Sequence, residues 1–355
     1  MSPAGVWQAW EEEISRVLSG VGIWQRRALA LFSLGVASAK HCGLARVAAV
    51  VPGQAVVPSS TRRFERLLAS ARLDVGAARG AVVAQVLEAG RGQTLWLALD
   101  ETHQGRTETG ARLGMLALRL VYRERAIPLV WICYRPGEAP APFPVLVGRL
   151  IDEVAALVPP GTQVVLMTDR GLSWPSLLDR CRRVGWSFLC RVQRQTRVQT
   201  ADGHAGAIGD LAPQPGTRWR GHGRAFLKAG WRDLNLVAVW RRGDQQPWLL
   251  VTDLAPTWVR CAQYRHRMDE EESFRDDTSA GFDWNASRVR DPDHMDRLLL
   301  VLQLAALFVL HCGFRHVLER TDRSTLSLFA LGLRWLDRAR SHLVPLAPSL
   351  SLPFP

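Results

Sequence analysis

Lysine is almost missing from this chain. Of 45 basic residues all but Lys40 and Lys228 are arginine. Against 33 acidic residues this leaves a formal net charge of +12 and a pI near 10.5. That balance favours a polyanionic partner such as nucleic acid. Paired cysteines are missing too. Cys42, Cys133, Cys181, Cys190, Cys261 and Cys312 stand apart, with no Cys-x-x-Cys and no Cys/His spacing of the zinc type. This argues against a disulfide framework or a zinc module and for reduced, buried thiols in a cytosolic protein. The first residues carry Glu11, Glu12 and Glu13 where a secretory signal needs basic and then apolar residues. The longest apolar run, Leu298 to Leu310, is too short to span a bilayer comfortably and contains Gln303, so a buried core helix and a cytoplasmic protein without a membrane partner are expected. No internal repeat is present. The 355 residues suffice for two or three domains.

What the chain does have is one unusual stretch, Tyr264 to Thr278 (YRHRMDEEESFRDDT), free of Pro and Gly and followed by Gly281. On a helix, Tyr264, Arg267, Glu271 and Thr278 share a face. A phenol, a guanidinium and a carboxylate on one face can hold a phosphate and a metal ion together. The alternative is a solvated charged helix.

Hydrophobic periodicity divides the rest. Residues 1–90 read as a helical module, with helices over Val6–Leu18, Trp24–Ser38 and Ala78–Leu87. Between them Ser60 or Thr61 caps a basic helix carrying Arg62, Arg63 and Arg66, suited to docking on DNA; a helical cap with solvated arginines is the equal alternative. From residue 94 the period changes to two. Thr94–Leu99 reads as a strand ending at Asp100, followed by strands over Leu113–Tyr122 and Ile127–Tyr134 in an antiparallel meander. A helix over Phe143–Leu157, a strand Gln163–Thr168 ending at Asp169, a helix Trp174–Val184 and a strand Ser187–Val192 follow. This order predicts an α/β fold with a ribonuclease-H-like core, its first part spanning residues 91–192.

Residues 193–252 read as a β-rich insertion, with strands over Gly223–Lys228, Leu234–Trp240 and Trp248–Thr252. The stretch 191–250 holds ten basic residues against four acidic ones, so about half the net charge sits there. The core resumes over 253–320, ending in a long apolar helix over 291–320. Residues 321–355 add a helix, 324–341, and a Pro-rich tail, LVPLAPSLSLPFP, expected to be disordered or laid on the surface.

Asp100 and Asp169 thus end strands that are neighbours in a ribonuclease-H-like order, where ligands of open α/β sheets gather. With a helix-borne glutamate they make an oxygen cage for Mg²⁺, with Mn²⁺ the alternative, and two such ions serve phosphoryl transfer. Taken singly, Asp100 could be a cap and Asp169 a turn residue. The three carboxylates are expected within about 8 Å of one another, given metal–oxygen distances near 2 Å. Glu270 and Glu272 are the fallback for Glu271.

The segments LALDET at Asp100, MTDRG at Asp169 and YRHRMDEEESFRDD from Tyr264 resemble the bacterial DDE transposases of the insertion-sequence type-four family. Its signature, Y-x(2)-R-x(3)-E-x(6)-K, is matched at Tyr264, Arg267 and Glu271, while Thr278 stands where the family has lysine. The resemblance spans roughly residues 60–320 and includes a β-rich insertion of about 100 residues between the second aspartate and the glutamate. It implies cut-and-paste transposition of an insertion sequence: hydrolysis at inverted-repeat DNA ends, then strand transfer into target DNA, often through a hairpin, by a homodimeric synaptic complex in the bacterial nucleoid. Asp100, Asp169 and Glu271 would be catalytic metal ligands. Tyr264 and Arg267 would hold the phosphate backbone, and Thr278 would contact DNA without supplying charge, with Arg275 compensating. Trp248, in PWLLVTDL, would stack on a flipped base, with Arg241 or Arg242 nearby. Two other readings stand beside this one: a degenerate or domesticated transposase-like protein that binds DNA without cutting, and a metal-dependent nuclease without strand transfer.

Overall fold

The structure is a computed structural model that describes residues 3–51, 55–104, 113–123, 125–267, 282–319, 327–342 and 348–354. Five helices lead the chain: α1 (Pro3–Val17), α2 (Ile23–Ala39), α3 (Leu44–Val50), α4 (Val57–Leu68) and α5 (Val75–Ala89). Their apolar faces close on one another. The Phe32 and Phe64 rings stack at 4.4 Å, and the Trp10 indole donates to Ser33 Oγ inside the bundle. The expected cap at Ser60 or Thr61 is not the start of α4. The helix begins one turn earlier, at Val57, because Pro58 suits a first turn. Ser60 is buried, and Thr61 donates back to the Val57 carbonyl instead.

The rest is a mixed α/β structure around one ten-stranded sheet. Its strands are β1 (Thr94–Gln104), β2 (Leu113–Tyr122), β3 (Arg125–Tyr134), β4 (Gln163–Thr168), β5 (Ser187–Arg191), β6 (Arg197–Thr200), β7 (Ala205–Ala207), β8 (Arg218–Ala225), β9 (Arg232–Val239) and β10 (Trp248–Thr252). They lie in the order β3-β2-β1-β4-β5-β10-β9-β8-β6-β7. The pairs β1–β4 and β4–β5 are parallel and the others antiparallel. Helices α6 (Phe143–Ala155) and α7 (Pro175–Arg183) make the crossovers that parallel pairing requires. Two expectations shift here. β1 does not stop at Asp100, because its antiparallel partner β2 carries it on to Gln104 after β4 has ended. The strand expected over Gly223–Lys228 is centred earlier, on R-W-R-G-H-G-R-A, since the chain turns at Phe226 in the left-handed region. The β-rich segment after residue 193 continues the same sheet, joined edge to edge through β10 and β5.

Helix α9 (Pro292–Glu319) supports one face of the sheet. It is long and apolar enough to cross a membrane, but 83% of its most apolar window is buried in this fold, as expected of a core helix. Its one interior amide, Gln303, donates to the Pro128 carbonyl of β3, beside the register shift at Leu118/Arg119. Helix α10 (Leu328–His342) crosses α9 so closely that a Cβ on Gly332 would lie 1.9 Å from the Val309 carbonyl oxygen. The tail is neither disordered nor merely laid on the surface over 348–354. Leu350 and Leu352 are buried, the Leu350 amide is held by Glu13, and the Pro353 carbonyl accepts from Tyr122.

Candidate functional site

Sheet register decides what meets what. Leu99, Thr168, Cys190, Val251, Leu236 and Gly221 form one row across six strands. One residue further along lie Asp100, Asp169, Arg191, Leu250, Val237 and Arg220. Because side chains alternate between faces, this second row projects from the face opposite the α9 core. That face carries a small apolar cluster of Val165, Met167, Leu189, Val237 and Leu250, with Trp96 beside it. The two aspartates are therefore one strand apart, about 5 Å along the row.

Of the helix expected over Tyr264–Thr278 only Tyr264–Arg267 is among the described residues, and it follows directly on a short helix that starts at Trp258. Thr257 caps α8 (Trp258–Gln263) by accepting from the Arg260 amide, and the chain then tightens into a 3₁₀ turn over Tyr264–Arg267. In a 3₁₀ turn residues i and i+3 eclipse, so Tyr264 and Arg267 still share a side. Both are buried, at 2% and 7% exposure, while Arg265 between them is exposed, so the turn has an inward side and a solvated one. Tyr264 donates its hydroxyl to the Thr168 carbonyl at 3.0 Å, and Arg267 Nη2 donates to Asp100 Oδ2 at 2.8 Å. The two residues thus hold the end of β4 and the Asp100 carboxylate of β1.

Each carboxylate is oriented. Asp100 Oδ1 accepts from the Glu101 amide. Burial pushes the Asp100 carboxyl above its usual range; Arg267 and the buried Arg119 oppose this, and the nearby Asp169 adds to it. Asp169 Oδ1 accepts from the Gly171 amide, and Ser173 Oγ donates to the Asp169 carbonyl. Gly171 suits this turn, since a Cβ there would stand 3.1 Å from Asp169 Oδ1. Burial raises the Tyr264 phenol far above its ordinary value, so it stays a hydrogen-bond donor.

The donor set fits a hard divalent cation. A carboxylate oxygen has two lone pairs, so Asp100 can accept one more partner on each oxygen, and among the described residues Asp169 is engaged only through Oδ1. Among the described residues no group of three or more ligating side chains forms. Glu271, its fallbacks Glu270 and Glu272, Arg275 and Thr278 lie outside the described residues.

Trp248 opens β10 as expected and packs edge-on against Tyr264, ring centroids 5.3 Å apart. The Arg241 guanidinium lies over its ring at 4.4 Å, so that face is already covered. Arg62, Arg63 and Arg66 sit elsewhere, on α4; Arg63 and Arg66 line a cavity of about 450 Å³ with Trp24 on α2. Sequence reasoning missed Arg191, Arg119 and Trp258. Arg191 was detectable by counting: it stands 22 residues after Asp169, at the end of the next parallel strand. No protein-family model matches the chain, and none of the curated proteins matches it.

Proposed function

We propose that the protein is a metal-dependent DNA-processing enzyme of the DDE transposase type, built on a ribonuclease-H-like core. The observation that carries this reading is the placement of Asp100 and Asp169 one residue beyond the last paired residues of two adjacent parallel strands, Leu99 and Thr168, with the turn bearing Tyr264 and Arg267 bonded to the Thr168 carbonyl and to the Asp100 carboxylate. The strand order β3-β2-β1-β4-β5, three antiparallel strands followed by two parallel ones, supports the core assignment.

In this reading Asp100 and Asp169 hold Mg²⁺, or Mn²⁺ in its place, and Glu271 completes the ligand set for two ions. The bound ions supply charge neutralisation at the scissile phosphate and activation of the attacking oxygen. The chain's own groups do the positioning. Arg267 fixes the Asp100 rotamer and offsets its charge. The Gly171 amide fixes Asp169. Tyr264 pins the end of β4 so that the two carboxylates keep their separation. Arg191, next in the row, takes a non-bridging phosphate oxygen of the DNA. The arginine excess supplies the sequence-independent part of DNA affinity, to inverted-repeat ends and target alike.

The test is nicking of a supercoiled plasmid carrying the DNA that flanks the gene, with Mg²⁺, with and without a target plasmid. Asp100→Asn and Asp169→Asn should each lower cleavage by at least about 10²-fold, the loss typical of one positioned electrostatic group, with the fold intact by circular dichroism. Strand transfer into the target marks a transposase, and cleavage without transfer marks a nuclease. Binding without cleavage in the wild type would overturn the enzyme reading and leave a DNA-binding protein.

A further inference from the structure

The same sheet face continues past the aspartates into an arrangement the proposed chemistry does not use. β8 alternates, with Arg218, Arg220, His222 and Arg224 exposed on the face that bears Val237 and Val239 of β9. Arg218 pairs in register with Val239, and Val239 pairs with Trp248, so Arg218 and Trp248 share a row. Arg220 lies three strands from Arg191, about 15 Å at ordinary strand spacing.

Between the arginines stand tryptophans. Arg218 and Arg220 lie over the Trp258 ring at 4.9 and 5.0 Å, and Arg241 lies over Trp248 at 4.4 Å. Arg218, Arg241 and Trp258 line one cavity of about 460 Å³, which has no carboxylate among its lining residues. Among the described residues the guanidinium groups of Arg218 and Arg241 meet no hydrogen-bond acceptor, so two planar donor forks are presented to solvent beside an indole. The pattern has limits: Arg220 Nη1 already donates to the Pro256 carbonyl at 3.2 Å, leaving its other donors for a ligand, Arg224 is bound to Gln199, and Asp233 stands opposite Arg224 in the ladder.

Guanidinium groups resting on indole rings suit an unpaired nucleic-acid strand, since the forks take phosphates and a base can stack on the outer guanidinium plane or on an uncovered ring face. Two arginines on alternate residues of one strand repeat at about 7 Å, a separation that stepping along an extended strand can meet. α8 begins at Trp258 and leads into Tyr264, which packs on Trp248, and then to Arg267, which holds Asp100. We infer that Arg218, Arg220, Arg241, Trp258 and Trp248 form a track for single-stranded DNA that runs to the aspartate pair. The choice of DNA rests on the proposed function; the single-strand preference rests on the track itself.

The experiment uses the full chain in EDTA, with fluorescence anisotropy of a labelled DNA single strand, a blunt duplex of equal length and an RNA strand of the same sequence, over a salt series. The wild type should prefer the DNA single strand. Arg218→Gln with Arg220→Gln should abolish that preference and flatten the log–log salt slope by about 1.4, two phosphate contacts at roughly 0.7 each. Both side chains are exposed, so folding should survive, as circular dichroism will verify. An unchanged slope, equal losses for duplex and single strand, or tighter binding of RNA would overturn the track. The two readings fail separately. A wild type that binds the strand through these arginines but cuts nothing sinks only the enzyme. One that cuts without arginine-dependent strand binding sinks only the track.

Discussion

Arginine is used in opposite ways at the two ends of the sheet. On the β1 side it is buried and committed. Arg79 makes a bidentate pair with Glu153, donates to the Trp131 carbonyl and lies over the Trp131 ring; Arg267 holds Asp100. On the β8 side Arg218, Arg220 and Arg241 are exposed and rest on tryptophan rings. A buried guanidinium must be paired, and removing its partner is costly; an exposed one is nearly free of structural duty. The net charge of +12 therefore counts two populations together. Only the second is available to a polyanion.

The sharpest way to break this contrast is to remove one arginine from each end and compare readouts. Arg79→Met should cost about 3 kcal/mol of stability, because it leaves Glu153 and the Trp131 carbonyl without their shared donor. Urea unfolding measures it. Tyr264→Phe is next: it keeps the ring against Trp248 but strips the Thr168 carbonyl of its donor, for about 1–2 kcal/mol. Arg220→Gln alone should stay within about 0.5 kcal/mol, while weakening nucleic-acid binding. If Arg220→Gln destabilised the fold as much as Arg79→Met, the division into structural and available arginines would be wrong.

Much of this frame was legible in the sequence. Alternation and run length located the meander, the two strands that lead to the aspartates, and the long core helix. The spacing of Tyr264 and Arg267 survived although their secondary structure differed, because a 3₁₀ turn and an α-helix both bring i and i+3 together. What failed depended on partners far away in sequence. Nothing local says that β2 extends β1 past Asp100, or that β10 hydrogen-bonds to β5. Arg191 and Arg220 belong to the site's row only through registers across six strands. The tail reads as Pro-rich and disordered or laid on the surface; its order over 348–354 comes from Glu13 and Tyr122, more than 200 residues away.

The smallest expected effect separates burial from pairing at Asp100. Burial raises this carboxyl above its ordinary value, and Arg267 only partly offsets that. The folded protein therefore holds the proton to a higher pH than the unfolded chain does. Its contribution to stability is full below the ordinary carboxylate range and is lost as pH rises through the raised value. Asparagine keeps an oxygen for Arg267 but cannot ionise, so it escapes that loss. Measured with a chelator present, the melting temperature of Asp100→Asn relative to wild type should move upward as pH rises above about 4, since the ordinary Asp value lies near 3.9. Carboxylates remote from Asp100 cancel in the difference. A melting difference that stays flat with pH, or moves downward, would mean that Arg267 outweighs burial, and that the site holds its charge at no cost to the fold.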